Sequence, residues 1–131
     1  MTQAKDLQIV RFTQSAMVSV IPPVLFEQII EADPVVTLER LVKVCGAAVA
    51  NPYTYFFGFI DPERNQVVGF LWCVHSLLKN RLVVTYMTIL PEYQGHGILH
   101  RFFELCKGVV DRLKIDPILE QPFVLNSCRN P

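Results

Sequence analysis

The segment Ile89-Leu90-Pro91-Glu92-Tyr93-Gln94-Gly95-His96-Gly97-Ile98-Leu99 holds the clearest chemistry in this chain. A hydrophobic strand from Tyr86 to Leu90 ends at Pro91, passes through a Gly-X-Gly turn and enters a helix. Two glycines let the backbone come close to a ligand, and a helix start offers unpaired N–H groups at the positive end of its dipole. Together they suit phosphate or another anion. Gly95 and Gly97 also fit a plain strand-to-helix corner. The strand, the proline, Gln94 and the helix, all in order, favour the anion. A dinucleotide fingerprint fits worse, because His100 stands at its third glycine, and no P-loop Lys-Ser/Thr follows.

Other reactive side chains are few. Val83 to Leu90 contains no acid, so Tyr86 and His75 are the titratable groups near the turn that can relay a proton. A tyrosine on a core strand commonly just packs with its hydroxyl satisfied. His96 and His100 share one helix side, but Gly97 replaces the Glu of H-E-x-x-H and no third ligand is evident, so no metal site is expected. Cys45, Cys73, Cys106 and Cys128 form no CxxC pair and read as thiols of a reducing compartment. Cys106 falls on an apolar stripe, where an inert core thiol is expected, and Cys128 lies nearer the chain end with no base nominated. Phe56, Phe57, Phe59, Phe70 and Trp72 lack adjacent basic residues and read as core, not as a base-stacking platform.

These groups need a scaffold, and the chain punctuates one. Leu7 to Phe12 has the character of a short edge strand. Pro22-Pro23 opens a helix through Ile30, and Asp33-Pro34 ends it. A second helix starts near Thr37, with Leu38, Leu41, Val42, Cys45 and Val49 on one side, and stops at Asn51-Pro52. Tyr53 to Ile60, Val67 to His75 and Leu82 to Leu90 read as an antiparallel meander, joined by the turns at 61–65 and 79–81. The middle strand is apolar enough to be covered on both faces. After the glycines, Ile98, Leu99, Phe102, Phe103, Cys106, Val109, Val110 and Leu113 repeat at helical spacing, with charged residues opposite, until Asp116-Pro117. Phe123-Val124-Leu125 reads as a last short strand.

At 131 residues the chain is the size of one domain, taken as 1–131. Hydrophobic residues make up 51% and charged residues 18%, which excludes disorder. Twelve basic and twelve acidic side chains cancel, so the footprint of a nucleic-acid binder is missing. No polybasic cluster, signal-peptide core or membrane-length apolar run is present, and a cytoplasmic location without membrane contact is the expectation.

Gln94-Gly95-His96-Gly97, after an apolar strand ending at Pro91, resembles the acyl-CoA-binding motif of the GNAT (GCN5-related) N-acetyltransferases, Gln/Arg-X-X-Gly-X-Gly/Ala. Asn65-Gln66-Val67-Val68-Gly69-Phe70-Leu71 is similar to that family's third strand. The resemblance runs over roughly residues 7 to 126 and implies an α/β (α+β) fold, a mixed, mostly antiparallel sheet flanked by helices. It implies acetyl-CoA or another acyl-CoA as cosubstrate, and transfer of the acyl group to an amine by direct attack in a ternary complex. Backbone N–H groups from Gln94, Gly95, His96, Gly97, Ile98 and Leu99 would hold the pyrophosphate. Met87 and Ile89 would pair their backbone with the pantetheine arm, and the strand ending at Leu90 would splay from the one near Phe123.

Three departures accompany the resemblance. Leu99 stands where the family prefers Gly or Ala, and His96 replaces a common Lys or Arg. The chain also ends where the family adds a further helix and two strands, with the tyrosine that often protonates the leaving thiolate. Together with the missing base these departures support an alternative: a catalytically degenerate GNAT-fold structural or interaction subunit, of the kind seen in small phage proteins and then virion-associated. An unpaired edge near Phe123 to Asn126 would then carry a homo-oligomer or larger assembly. The acceptor amine, small molecule or protein, is not named by sequence. Glu27, Glu31 and Asp33 fit a solvated helix face better than an acidic lip for it.

Overall fold

A computed structural model describes residues 6–115 except Asp33, Val35 and His96. Four strands form one antiparallel sheet in the order β1 (Gln8–Phe12), β2 (Thr54–Asp61), β3 (Gln66–Ser76) and β4 (Arg81–Ile89). Helices α1 (Pro23–Ala32) and α2 (Leu38–Val49) lie between β1 and β2, and α3 (Ile98–Leu113) follows β4. The mixed α+β architecture expected from sequence is the observed one. The last strand expected at Phe123–Leu125 and the assembly edge at Phe123–Asn126 lie outside the described residues.

Local chemistry explains most boundaries. Pro23 opens α1, where its missing N–H costs nothing. Thr37 caps α2 by accepting the Arg40 N–H at 3.2 Å. Asn65 and Asn80 take the left-handed conformation in the two hairpin turns, a role asparagine fills more readily than most residues. Ser15–Val20, not expected from sequence, winds into a 3-10 helix that buries Val18 and ties to α2 through the Ser15 hydroxyl on the Gly46 carbonyl, 2.7 Å.

Strand alternation sorts the core into two layers. Phe12, Phe56 and Phe70 stack in series on the face covered by α1, with Phe26 of α1 tilted against Phe70. On the opposite face Phe59 meets Phe102 of α3 edge-on at 4.9 Å. The aromatic residues read as core are all buried. The apolar stripes of the helices are narrower than their sequence pattern. Leu38 and Val42 of α2 and Phe103 of α3 are exposed, because an isolated helix pattern does not show how wide a strip the sheet can cover.

Two glycines set how tightly the sheet packs. Gly58 lies under the Phe12 ring, where a Cβ would sit 2.6 Å from a ring carbon. Gly69 faces Ile89 across β3 and β4, and a Cβ there would sit 2.5 Å from the Ile89 side chain and 2.7 Å from the Thr88 carbonyl oxygen. The ring at Gly58 can shift, whereas the carbonyl at Gly69 belongs to the β4 backbone. Gly69→Ala is therefore expected to destabilise the fold by about 1–3 kcal/mol, read as a lower midpoint in urea unfolding.

Candidate functional site

Where β4 ends, the chain makes a corner in three steps. Leu90 donates its N–H to the Val68 carbonyl at 2.8 Å, the last backbone bond tying the strand to β3. Pro91–Tyr93 forms one 3-10 turn, closed by the Tyr93 N–H on the Leu90 carbonyl. Gly95 (φ 84°) and Gly97 (φ 80°) then adopt the left-handed conformation, and Gly97 is the N-cap of α3. Both glycines are exposed, and an added Cβ at Gly97 would meet nothing within 4 Å.

A buried strut holds this corner. The Tyr93 hydroxyl donates to Oδ2 of Asp61 at the end of β2, and Oδ1 of the same carboxylate accepts the Glu63 N–H at 2.9 Å. Asp61 is 2% and Tyr93 5% exposed. Arg64 lies over the Tyr93 ring, 5.8 Å from its centroid, and reaches Glu92 at 3.8 Å on the surface. Two further ties flank the strut. The Gln94 side-chain amide donates to the Ile89 carbonyl at 3.3 Å, and Arg101 in the first turns of α3 donates to the Leu7 carbonyl at 3.2 Å.

The site residues inferred from sequence divide accordingly. Because the Leu90 N–H points to β3, strand alternation turns the backbone groups of Met87 and Ile89 the other way, to the side of β4 that no other described strand pairs with. Both side chains are buried. The Gln94 backbone N–H is not free for an anion, since it donates to the Pro91 carbonyl at 3.2 Å, a correction to the expected amide set. Ile98 and Leu99 open α3, where helix geometry leaves their N–H groups without an intrahelical acceptor, and Gly97 supplies no side-chain cap. Leu99 is half-buried and packs against the core. His96 lies outside the described residues. His100 is exposed and pairs with Glu104 at 2.7 Å. Among the described residues no three His, Cys, Asp or Glu side chains gather as a metal cluster.

Tyr86 and His75 end up far apart. His75 sits beside the β3–β4 hairpin, 3.5 Å from Asn80 and opposite Leu82. Seven strand residues separate that register from Ile89, roughly 20 Å, so the structure does not bring His75 to the corner. Tyr86 lies closer, half-buried on the face covered by α1 and edge-on to Trp72, with ring centroids 5.5 Å apart. The register of β3 and β4 shifts beside this pair, leaving Thr85 as the extra residue of a bulge, which bends the strand and re-aims its side chains.

Three features here were not read from sequence. Asp61 belongs by sequence to the turn at 61–65, although an aspartate two residues before an N–H it can accept is a legible signal. Thr88 is fully buried and donates to Oε1 of Gln28 in α1 at 2.6 Å. Trp72 Nε1 is buried with no hydrogen-bond partner among the described residues, on the ring that meets Tyr86 edge-on. Neither pairing nor orphan has a sequence signature.

The fold recurs in known proteins. No protein-family model matches the sequence, and no curated protein matches it. Solved structures do match. A Staphylococcus aureus subsp. aureus acetyltransferase provisionally assigned to the GNAT family is 8% identical with a TM-score of 0.65, over 92% of this chain and 98% of that one. A ribosomal-protein-alanine N-acetyltransferase from Brucella melitensis biovar Abortus 2308 is 11% identical with a TM-score of 0.65, over 88% and 80%. An aminoglycoside antibiotic 6'-N-acetyltransferase from Acinetobacter baumannii is 8% identical with a TM-score of 0.60, over 92% and 81%. At these identities the likeness is one of fold.

Burial, and then the bond to Asp61, push the Tyr93 phenol up to about 12. A raised phenol stabilises the fold while it stays protonated. The contribution is complete below the ordinary tyrosine value of about 10 and is lost as pH climbs from there toward 12. Tyr93→Phe leaves one oxygen of buried Asp61 without this donor and is expected to cost about 1–3 kcal/mol at neutral pH. In paired urea titrations, the gap between wild type and variant should shrink as pH rises from 8 past 11.

Proposed function

We propose that this chain, which has the fold of the GNAT acetyltransferases, is an acyl-CoA-dependent N-acyltransferase acting on an amine. One observation carries the reading. The amides that open α3 have no side-chain cap and adjoin open space at Gly97, on a corner held rigid from beneath by Asp61 and Tyr93. That is a fixed, uncapped positive helix end, which favours a diphosphate.

The residues present fit the cosubstrate. Gly97, Ile98 and Leu99 would hold the pyrophosphate through their backbone, and the backbone groups of Met87 and Ile89 that face away from β3 would align the pantetheine amides along β4. Acetyl-CoA, when bound, supplies an acyl group activated as a thioester. Gln94 acts indirectly, since its side chain already restrains the Ile89 carbonyl and its own N–H closes the 3-10 turn.

The acceptor would approach from the α1 side of β4. Tyr86 lies half-buried on that face. Tyr86 is the group we assign to return a proton to the leaving sulfur. The similar structures named for acting on a protein alanine and on an aminoglycoside 6' position support an amino group as the acceptor.

The absence of any carboxylate between Leu82 and Leu90 favours a second reading, a GNAT fold kept as an interaction subunit without turnover. Titration calorimetry with acetyl-CoA, followed by a coupled thiol-release assay over a panel of amines, separates the two. The first reading expects binding and thiol release. Tyr86→Phe should lower kcat at least tenfold, whereas His75→Ala should leave it unchanged. Gly97→Ala forces a Cβ into the left-handed region at about 1–2 kcal/mol and should weaken acetyl-CoA binding by about tenfold. No binding at millimolar acetyl-CoA removes both the site and the activity; binding without release leaves the interaction subunit.

A further inference from the structure

Cys73 and Cys106 are the one close pair of thiols among the described residues. Their sulfurs lie 3.9 Å apart, between the middle strand β3 and the amphipathic helix α3. Cys73 is fully buried and Cys106 is 2% exposed. Cys45, the other described thiol, is on α2, beyond the opposite face of the sheet, and burial pushes it up to about 12. Cys73 faces α3 because it pairs with Val84 two residues along from the Leu71–Met87 pair, and Cys106 belongs to the buried stripe of α3. Thus two thiols on separate elements point at one another, with no other described cysteine in the same layer.

A disulfide bond is about 2.05 Å long, so the sulfurs must close by about 2 Å. Side-chain rotation and a small approach of α3 toward β3 would provide that movement. The two thiols also differ in acidity. The hydrogen bond between the sulfurs, in which either can donate, lowers Cys106 against the opposing effect of burial, while Cys73 is raised. Of the pair, Cys106 is the better thiolate and hence the attacking sulfur.

We propose that Cys73 and Cys106 form a redox modification site that closes to an intramolecular disulfide when a small hydroperoxide reaches it. The Cys106 thiolate attacks one peroxide oxygen; an S–O bond forms, the O–O bond breaks, and the leaving hydroxide is protonated to water. Cys106 is then a sulfenic acid. The Cys73 sulfur attacks that sulfur, an S–S bond forms, and the S–O bond breaks. The hydroxide lost takes the Cys73 proton and leaves as a second water. Two thiols lose two electrons in all, and one peroxide gains them.

The bond would close a loop running through β4, the glycine corner and the first half of α3. It ties the helix that opens at Gly97 to the strand that underlies it, and cross-linking restricts the unfolded chain over that whole loop. The proposal does not depend on acyl transfer, because it concerns two core thiols and not the corner itself.

The test uses the whole wild-type protein, folded and reduced, exposed to a few equivalents of hydrogen peroxide. Intact mass spectrometry should show a loss of about 2 Da, and a non-reducing peptide map should join Cys73 to Cys106. Cys106→Ala should abolish the loss, dithiothreitol should reverse it, and the acetyl-CoA titration above is an independent readout on either form. A bond to Cys45 or Cys128 instead, stable sulfinic acid at Cys106 without a cross-link, or bridging only after unfolding in urea overturns the proposal.

Discussion

The Tyr93 hydroxyl on the buried carboxylate of Asp61 fixes where β4 gives way to α3, and the rest of the corner hangs from it. A carboxylate removed from water is costly unless its oxygens are satisfied. Here one oxygen holds the turn through Tyr93 and the other holds the β2–β3 hairpin through the Glu63 N–H. A single side chain therefore joins two loops of very different fate. The hairpin is ordinary surface, while the corner above the strut exposes Gly95 and Gly97. Rigidity from beneath with open backbone above is what a preorganised binding turn requires, since little ordering is left to be done when a ligand arrives.

The sheet imposes the second constraint. Gly69 lets β3 and β4 approach until only a hydrogen fits between the Gly69 Cα and the Ile89 side chain. That approach aligns the end of β4, and the bulge at Thr85 bends the strand just before it. Alternation then divides the work of β4. Met87 and Ile89 bury their side chains on the α3 side and turn their backbone away from β3, while Tyr86 and Thr88 point toward α1. One short strand thus presents a backbone edge and a side-chain face without any residue serving both.

Much of this was legible in the sequence because it depends on local rules. Proline at helix starts, asparagine in left-handed turns, Thr37 as a cap and the apolar run of β3 each act through their own neighbours. The Gly-X-Gly corner was legible for the same reason. What escaped was long-range. Asp61 is a polar turn residue until Tyr93, distant in sequence, closes over it. Leu38, Val42 and Phe103 fit the helical period but fall beyond the strip that the sheet covers. His75 is close to the corner in a list of residues and roughly 20 Å away along an extended strand. The Gln94 N–H was offered to a ligand by the family resemblance, and a 3-10 turn takes it instead.

The proton economy of β4 bears on the acyl-transfer reading. Tyr86 is the one titratable side chain from Leu82 to Leu90, and a phenol O–H is a donor. It can give a proton to a departing thiolate far more easily than it can take one from an ammonium ion. The buried pair of Thr88 and Gln28 on the same face is neutral and cannot serve as a base either. An amine used here must therefore arrive neutral or lose its proton to water, which favours acceptors of low basicity over strongly basic ones.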